Sequence, residues 1–102
     1  MKKYSNHGFF FNYDPASDIK KTTCPVFALN GEKDLQVVYP LNLTAIEKNL
    51  PHNDKSKMKS YAGLNHLFQE CSTGLPTEYT NIEQTISPVV LQDIAEWINN
   101  LK

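Results

Sequence analysis

Hydrophobic positions along this chain change period from one stretch to the next, and each stretch predicts its own element. The run Pro25-Val26-Phe27-Ala28-Leu29 is uninterruptedly apolar and gives way to Asn30-Gly31-Glu32-Lys33-Asp34. A short continuous apolar run closed by turn residues predicts a parallel strand covered on both faces. Pro40 then suits the first turn of a helix, and Leu43, Ile46 and Leu50 follow at helical spacing, with Glu47 and Lys48 on the wet side. Pro51-His52-Asn53-Asp54 stops that helix. Lys57-Met58-Lys59-Ser60-Tyr61 reads as a second, short strand whose lysines mark a sheet edge, and it ends in Gly63-Leu64-Asn65-His66.

From Gln69 to Thr85 the chain is polar, with Gly74 and Pro76, which predicts a long loop with a short helical turn near Tyr79 to Ile82. The last element is a helix: Ser87 can cap it, Pro88 fits its first position, and Leu91, Ile94, Ala95, Ile98 and Leu101 form one apolar stripe. At the other end, residues 1–14 form an aromatic segment with Phe9, Phe10, Phe11 and Tyr13, of the kind that packs on a core or a partner. Asp14-Pro15 and Ala16-Ser17-Asp18 read as a turn and a helical cap, leading to the polar link Lys20-Lys21-Thr22-Thr23. No internal repeat interrupts this order. Strand, helix, strand, loop, helix predicts a single α/β domain over residues 1–102, with two parallel strands joined by a right-handed crossover helix.

A chain of 102 residues can bury only a modest core. Ten basic residues, all lysine, balance eleven acids to a net charge of −1, which argues against a nucleic-acid surface. Lys55, Lys57 and Lys59 form the local basic cluster, and their alternate spacing on a strand predicts a solvated edge rather than a phosphate track. Cys24 and Cys71 are too few for a disulfide framework or a zinc site, and no cofactor motif is present. Cys24, next to an apolar strand, is expected to be a small buried hydrophobe. Met1-Lys2-Lys3 is basic, but no apolar stretch of signal-peptide or membrane-spanning length follows, so a cytoplasmic chain without membrane partners is expected. Asn42-Leu43-Thr44 matches a glycosylation sequon, which matters only in a secretory compartment.

Asp34 and His66 are the candidate chemistry. Each lies on a turn beyond a strand, where open α/β sheets place their ligands. Singly, Asp34 reads as readily as a surface acid in a turn, and His66 as a structural histidine after Gly63. The topology would nevertheless bring two strand ends together, so that Asp34 accepts from His66 Nδ1–H, fixes the tautomer and supports the imidazolium. Imidazole is the usual general base near neutral pH. Acid followed by base is the order of the α/β-hydrolase triad, in which the serine comes first on a G-x-S-x-G turn. No glycine here begins such a turn: the residues two places after Gly8, Gly31, Gly63 and Gly74 are Phe10, Lys33, Asn65 and Pro76. Cys71 is the one tempting substitute, but it lies too close in sequence to its own base to approach it well.

Gly31-Glu32-Lys33-Asp34-Leu35-Gln36-Val37, with Gly63-Leu64-Asn65-His66 and the helix after Ser87-Pro88, resembles the carboxyl-terminal part of serine α/β-hydrolases, closest to bacterial esterases and peptidase-like relatives. Tyr13-Asp14-Pro15, leading through Lys20 and Lys21 to Cys24-Pro25-Val26, resembles the approach to that family's penultimate strand. The resemblance runs from about Phe9 to the end. It implies a partial α/β-hydrolase fold, with Asp34 as the triad acid and His66 as the base. It also implies a small ester or amide substrate in the whole enzyme. The family's nucleophile elbow and oxyanion-hole loop lie upstream of everything present here, so the chain is expected to be inactive alone and to need the amino-terminal hydrolase part. The alternative is a non-catalytic binding or assembly module derived from the same fold, using Phe9 to Tyr13 as a contact surface. Either reading leaves strand edges to cover. A homodimer is therefore expected, most simply by Val26 to Leu29 pairing antiparallel with its two-fold mate.

Overall fold

Two residues of different kinds, Asn30 and Gly31, finish the first long strand and lock it into its surroundings. The computed structural model describes residues 4–6, 9–11 and 15–102, with side chains from residue 15 onward. Strands β1 (Tyr4–Asn6) and β2 (Phe9–Phe11) pair antiparallel with Tyr4 opposite Phe11. The side-chain packing expected of Phe9, Phe10, Phe11 and Tyr13 lies outside the described residues. Helix α1 (Pro15–Lys20) follows, then β3 (Phe27–Gly31), α2 (Tyr39–Asn49) and β4 (Lys57–Tyr61). A 3-10 helix spans Pro76–Asn81, overlapping the expected turn and starting three residues before it, and α3 covers Pro88–Asn99.

Strands β3 and β4 are parallel, with Phe27 opposite Lys57 and Gly31 opposite Tyr61, and α2 is the crossover between them. The molecule is thus an α/β fold built on a two-stranded parallel sheet. The first strand begins two residues later than its apolar run suggests and extends into Asn30 and Gly31. Phe27, Ala28 and Leu29 are only half-buried, so the strand is not sealed on both faces as expected; with one neighbouring strand, there is too little sheet around it. Because it starts late, Cys24 stands before the strand and is exposed, not buried.

Side chains alternate across the pleat, and each face has its helix. On one face Asn30 accepts from Asn42 Nδ2 of α2 at 2.7 Å and donates to the Val37 carbonyl at 3.1 Å. On the other, Phe27, Lys57, Lys59 and Tyr61 meet α3. The Phe27 and Trp97 rings lie 5.4 Å apart, and Trp97 Nε1 donates to the Lys55 carbonyl at 2.7 Å. Lys59 Nζ and the Tyr61 hydroxyl both donate to Asp93 Oδ2, at 2.7 and 2.6 Å. The lysine cluster lies on an edge strand as expected, with Lys55 and Lys57 exposed, and each lysine also has a partner: Lys57 sits over the Phe27 ring, Lys59 pairs with Asp93, and Lys55 Nζ reaches the Leu101 carbonyl.

Helix α3 turns a different side inward from the expected stripe. Val90 is buried, with Ile94, Trp97 and Leu101 partly so, while Leu91, Ala95 and Ile98 are exposed. Ser87 occupies the cap position, yet its side chain makes no cap bond; its backbone N–H donates to the Phe68 carbonyl at 2.7 Å instead. The core is small: Tyr61, Leu64 and Val90, with Leu29, Phe68, Ile86 and Ile94 packed around them. The extents, 44 × 39 × 19 Å, describe a plate rather than a ball. No helix among the described residues is long and apolar enough to cross a membrane.

Candidate functional site

Asp34 and His66 meet where β3 and β4 end. Beyond Gly31 the chain turns, with the Asp34 N–H donating to the Gly31 carbonyl at 3.2 Å and the Lys33 N–H to Leu64 at 2.9 Å. Asp34 then accepts from the backbone N–H groups of Gln36 and Val37 with the same oxygen, Oδ1, both at 2.8 Å. This is the Asx-turn chemistry that favours Asp at such positions. Its other oxygen, Oδ2, lies 2.9 Å from His66 Nδ1. The two residues that sequence places 32 apart are thus in hydrogen-bond contact, as strand-end placement predicts.

The carboxylate side chain is 6% exposed and the imidazole 35%. Burial pushes the Asp34 carboxyl up, but the Val37 N–H, the His66 ring and the Gln36 N–H together outweigh it and hold the group below its ordinary range. An ionised carboxylate only accepts, so His66 Nδ1 carries the proton of this hydrogen bond. Among the described residues no hydrogen bond engages Nε2, and the ring is partly open to solvent.

The turn that carries His66 is built on Asn65, whose role no local pattern announces. Asn65 is fully buried, and its Oδ1 accepts from the Leu67 and Gln69 N–H groups at 2.9 and 3.0 Å. Its Nδ2 donates to Gln69 Oε1 at 3.0 Å. An Asn inside a turn is again Asx chemistry. Phe68 takes a left-handed backbone conformation, φ 58°, which costs a non-glycine residue about 1 kcal/mol or more. In return its ring packs edge-on against Tyr61 in the core, 6.4 Å between centroids. Gly31 is needed for the two turns to meet: a Cβ there would collide with the Leu64 and Asn65 carbonyls.

A second loop closes against the acid's turn. Glu78 accepts from the Ser72, Thr73 and Gly74 N–H groups and is pulled down to about 2 by those bonds, the Ser72 N–H foremost. Lys33 Nζ holds the Cys71 and Ser72 carbonyls at 3.3 and 3.0 Å. Gly74, at φ 80°, sits so close to the Lys33 carbonyl that a Cβ would collide with it. Cys71 is partly buried here, and burial together with the Glu78 carboxylate pushes its thiol up, the wrong direction for a nucleophile.

Two clefts of about 340 and 360 Å³ open near the start of β4, and neither includes Asp34 or His66. The Asp34–His66 contact has directed hydrogen bonding, and the clefts have only shape. No cluster of three His, Cys, Asp or Glu side chains among the described residues is arranged to hold a metal ion. Compared with family models, curated proteins and solved structures, the chain matches none.

Proposed function

We propose that this chain supplies the acid and the base of a serine-hydrolase-type site acting on carboxylic esters or amides, with the nucleophile carried by another polypeptide segment. The observation that supports it is the Asp34–His66 contact, in which one carboxylate oxygen is pinned by backbone and the other is left for imidazole. In that role His66 Nε2 takes the proton of an incoming hydroxyl as its oxygen attacks the carbonyl carbon. Asp34 stabilises the imidazolium, which then gives the proton to the leaving group. The hydroxyl and the oxyanion donors come from outside this chain, since none of its serines stands in a G-x-S-x-G turn.

The pure chain should therefore give no stoichiometric burst with p-nitrophenyl acetate and take no label from a fluorophosphonate. If the DNA upstream of its gene encodes a G-x-S-x-G frame, the two products together should label, and His66→Ala should abolish that labelling. A burst from the chain alone, or labelling of the pair indifferent to His66→Ala, would sink the reading.

One observation favours a second reading, a non-catalytic assembly module. Leu35, Val38, Leu41, Leu67 and Leu75 are all exposed around the sheet's carboxyl end, Leu41 at 74%. Each strand of the β3–β4 sheet also has an outer edge unpaired with any strand among the described residues. On this reading the chain is a homo-oligomer that joins through the β3 edge.

A further inference from the structure

Asn65 touches neither a reacting atom nor the Asp34 side chain, yet its bonds dictate where His66 stands. Every polar atom of its side chain works inside the turn: Oδ1 toward the Leu67 and Gln69 N–H groups, Nδ2 toward Gln69 Oε1. Its backbone closes the same turn, with the N–H donating to the Gln69 carbonyl at 3.0 Å and the carbonyl accepting from Phe68 at 3.1 Å. Gln69 Nε2 ties the assembly to the Gln84 carbonyl at 2.9 Å. His66 is enclosed in this turn by backbone, and its ring makes its one recorded bond outside it, to Asp34. The Asn65 carbonyl also lies against Gly31, three residues before Asp34, so the base's turn is seated directly on the acid's strand.

We infer that Asn65 is the positioning residue of the site, holding the 65–69 turn so that the imidazole presents Nδ1, and not Nε2, to Asp34. The inference rests on Asp34 and His66 being the acid and base proposed above, but it concerns ring geometry, which is readable without turnover. Aspartate at this position keeps the acceptor for both N–H groups, loses the donation to Gln69 Oε1 and sets a second carboxyl oxygen against it in a fully buried site. Alanine loses all three side-chain bonds.

The test is nuclear magnetic resonance of the chain labelled at histidine and tryptophan, in the wild type, Asn65→Ala, Asn65→Asp and Asp34→Ala. The wild type should show a far-downfield His66 Nδ1 proton and nitrogen shifts of a single Nδ1–H tautomer. Asp34→Ala should lose the downfield proton. Asn65→Ala should lose it too and give a tautomer mixture, while the Trp97 indole N–H, bonded to Lys55 at the far end of α3, stays unmoved and reports an intact fold. Asn65→Asp should restore the wild-type pattern. A folded Asn65→Ala that keeps the signature overturns the inference. So does a folded Asn65→Asp that loses it, or a wild type without it. If Asn65→Ala does not fold, Asn65→Asp decides alone. Failure of hydrolysis in the assembled enzyme, with these spectra as expected, would remove the functional reading and leave the positioning role standing.

Discussion

At Asp34 the two carboxylate oxygens have separate tasks, and this sets how the residue behaves on mutation and on titration. Asp34→Ala removes the buried acceptor of two backbone N–H groups and of the His66 Nδ1–H, in a turn whose other residues are exposed. It should therefore lower the unfolding free energy by about 2 kcal/mol or more in urea melts. The pH dependence has a definite sign. Because the folded carboxyl lies below its ordinary 3.8, the unfolded chain takes up this proton first as pH falls. The stability it contributes is fully present above that value and is lost as pH drops through the lower folded one. Melts between about pH 6 and pH 2 should show the slope for the wild type and a shallower one for Asp34→Asn. Equal slopes would mean that the carboxylate gains nothing from its turn. Asp34 and His66 were legible in the sequence because each ends a short strand in turn residues. Asn65 was not, since an Asn in a turn is ordinary until its neighbours are known to be buried.

At the scale of the element, α3 makes the sharpest test. It meets the sheet through Val90, Asp93, Ile94 and Trp97, the last by ring packing on Phe27 and a bond to the Lys55 carbonyl, whereas Leu91 and Ile98 face outward. Trp97→Ala should cost about 2–3 kcal/mol, less than a fully buried tryptophan would, because the ring is only partly covered. Leu91→Ala, in the stripe the spacing first suggests, should stay within about 0.5 kcal/mol of wild type. Equal losses at the two positions would show that the helix packs on the other phase. Sequence located this helix and could not orient it. Val89, Val90 and Leu91 are apolar at three successive positions, so periodicity fits two stripes, and only the long-range meeting of Trp97 with Phe27 chooses between them. The lysines of β4 mark the sheet edge but not what they pair with. Their partner Asp93 lies 34 residues beyond Lys59, and no local pattern announces it. The Glu78 cap was likewise hidden in a stretch that reads only as polar loop.

The whole molecule is thin for its length. Its radius of gyration is 15.9 Å, against about 13 Å for a compact chain of this size. Three buried apolar residues among the described ones make a small core for such a plate, and large apolar side chains remain exposed on it. A net stability toward or below the lower end of the usual range, about 5 kcal/mol, is expected from urea titration of the isolated chain. Light scattering behind a sizing column should find a dimer or larger at micromolar concentration, held through the outer edge of β3. A monomer that buries no strand edge would refute the pairing. The parallel ladder also governs the order of events in time. Every residue of β3 pairs thirty positions ahead, Phe27 with Lys57 through Gly31 with Tyr61, so no hairpin can start it. Closing a loop of about thirty residues costs on the order of 3 kcal/mol before the first ladder bond forms. Asp34 and His66 stand beyond the ladder's far end, and a slip of one residue would set them out of step. Asp34 and His66, 32 residues apart, face the same closure cost as the ladder, so the acid–base contact and the sheet depend on one long-range closure.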